Sequence, residues 1–149
     1  MTEEGRLAYE LLRRYRHMVE REKELEERVQ RAWDAAKRAT ATLSSSGGSG
    51  SGEHSRLETA SVKAMDIERQ LEHTLAVATD KRLRIQAAIN AVECDELRRV
   101  LELRYIDGMI WEDINAQMHI ATSTSKRWHN MALEDFWGAY TRMLDLRGP

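Results

Sequence analysis

Two long stretches without proline, separated by the run SSSGGSGSG at Ser44–Gly52, constrain this chain more than any other feature. From Arg6 to Ala41, apolar residues recur at steps of three and four: Leu7, Leu11, Tyr15, Met18, Leu25, Val29, Ala32 and Ala36, with Glu22 interrupting. That spacing predicts a helix with a near-heptad stripe. Its other face is dense in Arg and Glu. The pairs Glu24–Arg28 and Glu27–Arg31 stand four apart with the acid first, the order that supports a helix better. A second stripe runs from Leu57 to Val92 through Ala60, Ala64, Ile67, Leu71, Leu75, Ala78, Ile85 and Ile89, with Arg82 interrupting. Each stretch is about 36 residues, which would span roughly 54 Å as a helix.

The Ser/Gly run has nothing with which to bury surface, so it reads as a flexible loop over 44–52. Equal arms joined by a loose turn predict a long antiparallel helical hairpin, coiled-coil-like, over residues 1–93. Neither arm could bury its stripe alone, and two paired arms leave much of the seam half exposed. One expectation is therefore a homodimer formed through the hairpin. The others are a scaffold or spacer, and a docking arm for a specific partner.

Residues 94–149 read as a separate small domain. CDELRRVLELRYIDG predicts a helix from Asp95 to about Ile106, closed by Gly108. WEDINAQM predicts a short helix, HIAT a turn, and the stretch from Ser123 to Leu146 one longer helix or two in line around Gly138. The fold class is thus all-α: a helical hairpin followed by a small C-terminal helix-turn-helix domain. Leu97, Val100, Leu101, Tyr105, Ile114, Met118, Ile120, Trp128, Ala132 and Phe136 are the expected trihelical core. Phe136, Trp137, Tyr140, Met143 and Leu144 make the last helix rich in aromatic and large apolar residues. They either complete that core or offer a contact surface.

Composition narrows the function classes. No segment is long and apolar enough to cross a bilayer, and the N-terminus lacks the pattern of a signal peptide, so no membrane role and a cytoplasmic location are expected. The one cysteine, Cys94, cannot form an internal disulfide and fits a reducing compartment; it reads as a silent thiol. His17, His54, His73, His119 and His129 have no metal-ligand spacing. No phosphate loop or nucleophile motif appears, so neither an enzyme nor a cofactor is expected. The net charge is −2, and residues 94–149 carry seven Lys and Arg against nine Asp and Glu. Any DNA contact must then come from a local basic patch, with affinity supplemented by a partner or by oligomerisation.

The block from Leu103 to Phe136 resembles region four of the sigma-70 family, and more closely the small phage regulators of the ArpU type. The residues that carry the resemblance are Leu103, Arg104, Tyr105, Asp107, Gly108, Trp111, Glu112, Asp113, Ile114, Ala132, Leu133 and Glu134. Tyr15, Arg16 and the string ELEERV match the same family's first long helix in style. The chain departs from the family pattern at four positions. Ile110 replaces a capping Ser or Thr, Asn115 a small Ala, His119 a turn Gly, and Ala121 a capping Ser, leaving Thr122 or Ser123 to cap.

The resemblance implies a bacteriophage-type transcription regulator whose last motif helix enters the major groove of double-stranded DNA. The residues expected to face DNA are Thr122, Ser123, Thr124, Lys126, Arg127 and Asn130, while Ser125, Trp128, His129 and Ala132 face inward. Hydroxyls can reach bases or phosphates, Arg127 can fork onto guanine, and Lys126 can meet a phosphate. Host RNA polymerase is the second partner implied. The rival expectation is a protein-interaction adaptor that keeps the sigma-like fold without binding DNA. It draws on the acidic surroundings and the four departures.

Overall fold

A computed structural model describes residues 1–46 and 51–146 and, among these, is entirely α-helical apart from turns and one π-helical segment. Helix α1 is Glu3–Ser46 and α2 is Ser51–Asn90. Both run further toward the Ser/Gly stretch than the apolar stripes require, because extending a formed helix costs far less than starting one. The flexible loop expected over 44–52 is thus corrected at both ends, where Ser44–Ser46 belong to α1 and Ser51–Gly52 to α2; its remaining part, 47–50, lies outside the described residues. Helix α3, Asp95–Leu101, passes directly into a π-helical segment at Glu102–Ile106. Helix α4 is Trp111–Met118, matching the expected WEDINAQM, and α5 is Thr122–Leu146, one helix straight through Gly138.

The chain divides into two compact units. One takes Met1–Met18 and Thr79–Pro149; the other is Val19–Ala78. In the first unit the core is broad. Ala8, Leu12 and Tyr15 from α1 are buried, as are Ile85, Ala88 and Ile89 from α2 and Val92 just beyond it. They are joined by Leu97, Val100, Leu101, Leu103, Tyr105, Ile114, Ala132, Leu133, Phe136, Ala139 and Tyr140. Gln86 Nε2 donates to the Tyr15 hydroxyl at 3.2 Å, satisfying a phenol that is otherwise buried. Of the expected trihelical core, Met118, Ile120 and Trp128 are only half-buried; the rest is buried. Phe136 and Tyr140 stack at 5.8 Å inside the core, whereas Leu144 is exposed, so the aromatic-rich end of α5 is mostly interior.

The second unit has a thinner interior. Leu25, Ala36, Ala64 and Ala78 are buried there, together with Glu22, while Val29, Ala32, Ile67, Leu71 and Leu75 are half-exposed. The acidic side chain that interrupts the first stripe is therefore taken inside rather than turned out. Small alanines allow close approach of helices but remove little apolar area from water.

Helices α3 and α4 start without a side-chain cap. Cys94 is the N-cap of α3 and makes no capping hydrogen bond; Arg98 instead donates from Nη1 to the Val92 carbonyl at 2.9 Å. Asp95 and Glu96 suit the positive end of that short helix. Cys94 Sγ is exposed and donates to Glu96 Oε2 at 3.3 Å.

Candidate nucleic-acid interface

The interface begins where α3 widens. In the π-helical turn, the Asp107 amide donates to the Glu102 carbonyl at 2.9 Å, one residue further along than in an α-helix. Gly108 then takes φ +71 and lets the Met109 amide donate back to Leu103 at 2.9 Å. Two arginines satisfy carbonyls at this end: Arg16 Nη1 donates to Ile106 at 3.4 Å and Arg104 Nη1 to Met109 at 2.9 Å.

Ile110, extended at φ −76 and ψ 157, is the N-cap of α4 and supplies no side-chain hydrogen bond. Glu112 and Asp113 in the first turn offset part of that loss through the helix dipole. At the other end His119 is left-handed, with φ 56 and ψ 47, the conformation for which glycine is the usual residue. The Ile120 amide donates to Asn115 at 3.0 Å and closes the turn. Asn115 points partly outward: its Nδ2 donates to Thr122 Oγ1 at 3.3 Å, and its Oδ1 is buried without a hydrogen-bond partner.

The next helix, α5, presents two distinct faces at its start. Ser125 and His129 are buried, and Trp128 is half-buried. Thr122, Ser123, Lys126 and Arg127 are exposed, and Thr124 and Asn130 are half-buried. The six residues expected to face DNA thus lie on the first turns of one helix, but two of them are partly covered, and Thr122 Oγ1 is already engaged by Asn115. Ser125 Oγ donates to the Thr122 carbonyl at 3.0 Å. Among the described residues neither Lys126 nor Arg127 is held in an ion pair, and the first turn of α5 contains no acid. That combination gives a locally positive helix start on a chain with net negative charge.

Beneath this face lies a cluster that spacing alone did not identify. The Tyr105 hydroxyl and His129 Nε2 share a buried hydrogen bond of 2.7 Å. Trp111 meets the His129 ring edge-on at 4.8 Å, and Tyr9 does so at 6.3 Å. Arg104 lies over the Trp111 ring at 5.2 Å. Burial, and after it the Arg104 guanidinium, push His129 down to about 4; burial pushes the Tyr105 phenol above its ordinary range. The imidazole is therefore neutral near pH 7, and the bond joins two uncharged groups. The family-like block contains Tyr105 and Trp111, but no local signal in the sequence pairs either with His129.

Residues 42–136 match a family described as "Protein of unknown function (DUF1492)". The chain belongs to this family. No curated protein and no solved structure matches it. The DUF1492 match takes in α2, the π-helical turn, α4 and α5 as far as Phe136, and so every residue of the candidate interface. Most of α1, including Tyr9 and Arg16, which touch this region, lies ahead of the match. Among the described residues no helix is long and apolar enough to cross a membrane.

Proposed function

We propose that this DUF1492 member is a transcription regulator of the phage type, binding promoter DNA through α4 and α5 as a helix-turn-helix. In this reading α1 and α2 form an antiparallel hairpin that serves as a dimerisation or docking arm, and host RNA polymerase is the working partner in the bacterial cytoplasm. One observation carries the reading: Lys126 and Arg127 stand exposed on the start of α5 and free of ion pairs among the described residues, while Ser125 and His129 on its other face are buried. A face of this kind has no packing role, and its cations suit phosphates and guanine edges. The ArpU-like block supports the same reading by resemblance.

A mobility-shift assay at low salt, using duplexes enriched from the native host's DNA, tests it. Lys126→Ala with Arg127→Ala is expected to weaken binding at least tenfold with helicity unchanged. Binding that survives both substitutions would show the face to be misassigned.

The adaptor reading draws on Ile110 and Met131, which are large, apolar and exposed in the same unit. Retention of RNA polymerase from host lysate by a protein without DNA affinity would favour it.

A further inference from the structure

The unit Val19–Ala78 carries a groove of about 430 Å³ lined by Arg28, Arg31 and Ala32 of α1 and by Lys63 and Ile67 of α2. Three of its five lining residues are cations and none is an acid. All three cations are exposed, and none is in an ion pair among the described residues. This is unexpected on helices so rich in glutamate.

The neighbouring acids account for it. Four acids stand three or four residues from these cations, where helical side chains can meet: Glu24, Glu27, Asp34 and Asp66. Glu24 pairs with Arg21 at 3.5 Å, Asp66 with Arg69 at 3.6 Å, and Asp34 accepts from Gln30 at 3.0 Å. Among the described residues Glu27 has no such partner and Asp34 accepts only from a neutral amide, so two carboxylates remain to offset three positive charges. The i, i+4 pair Glu24–Arg28 suggested by the sequence is replaced by Arg21–Glu24, which leaves Arg28 free for the groove.

We infer that this groove binds the phosphodiester backbone of a nucleic acid. Two guanidinium forks and one ammonium supply phosphate-directed donors, and the aliphatic floor of Ala32 and Ile67 adds no competing polar group. An acidic peptide is the other anionic candidate. It would need apolar anchors for a stable dock, and a floor of one alanine and one half-buried isoleucine gives it little to hold. The inference rests on the DNA-binding reading above. It adds cations that Lys126 and Arg127 alone do not supply on a chain of net charge −2.

The salt dependence of binding tests it on the full chain. Each phosphate contact contributes close to one unit to the slope of log K against log salt. Arg28→Gln, Arg31→Gln and Lys63→Gln together are expected to lower the slope by about two to three for a 30-base-pair duplex. Glutamine keeps helix propensity, and circular dichroism checks the fold. Should the triple variant lose helicity, Arg31→Gln alone is expected to lower the slope by about one. Arg21→Gln with Arg69→Gln, both paired with acids, is expected to change it by less than one. An unchanged slope in the groove variant, with a lowered slope in the Lys126 and Arg127 variant, overturns this inference alone. A wild-type chain that binds no duplex overturns both. Loss of poly-glutamate binding in the groove variant, with the DNA slope unchanged, reassigns the groove to an acidic peptide and overturns the nucleic-acid assignment.

Discussion

The Tyr105 hydroxyl lies 2.7 Å from Nε2 of His129, tying the wide turn after α3 to the inner face of α5. His129 stands two residues from Arg127, so this bond helps set where the exposed face of α5 sits relative to its own core. Tyr105→Phe removes the hydroxyl and leaves a buried ring nitrogen without a partner. The expected cost is about 1–3 kcal/mol. It is read as a lower urea midpoint with an unchanged m value. A midpoint equal to wild type would show that the bond contributes nothing net.

The same histidine gives stability a pH dependence. Its folded value of about 4 lies below the ordinary 6.5, chiefly through burial. Between those values the unfolded chain binds the proton and the folded chain resists it. The contribution is present in full above pH 6.5 and is lost as pH falls through about 4. In that window the slope approaches about 1.4 kcal/mol per pH unit. Other groups also titrate there, so the measure is the difference between wild type and His129→Gln in denaturant melts from pH 7 to pH 4. Parallel curves would rule out a neutral buried His129.

His119 holds a left-handed conformation at φ 56 between α4 and α5. A side chain there costs about 1–2 kcal/mol, of which glycine's extra unfolded-state entropy takes back part. His119→Gly is expected to stabilise by about 0.5–1 kcal/mol, seen as a melting temperature a few degrees higher. His119→Val, β-branched at the same φ, is expected to lower it. A glycine variant less stable than wild type would mean that the histidine side chain makes a compensating contact.

Gly108 combines φ +71 with the Arg16 guanidinium packed against its Cα. A Cβ would overlap that guanidinium, so Gly108→Ala carries both backbone strain and displacement of Arg16 from the Ile106 carbonyl. The expected loss is about 2 kcal/mol. In an Arg16→Ala background the same change is expected to cost about 1 kcal/mol, because only the strain remains. Equal costs in the two backgrounds would show that Arg16 moves aside freely.

Local and periodic features were readable from the residue order alone. Apolar steps of three and four marked α1 and α2, WEDINAQM marked α4 to its ends, and the alternation of Ser125 and His129 with Lys126 and Arg127 marked the two faces of α5. Helix formation depends on neighbours within four residues, so a linear string carries that information. Contacts between distant positions were not legible in it. Tyr105 and His129 are 24 residues apart, and Arg16 and Ile106 are 90 apart; only packing decides that they meet. The same holds for charge. The string shows Arg28 four residues from Glu24, but side-chain geometry gives that acid to Arg21 and leaves three cations facing one groove. The sequence by itself determined where the helices run and which way most residues face. The tertiary structure decided which polar groups find partners, because a hydrogen bond or ion pair needs a few ångströms of proximity that residue order does not encode.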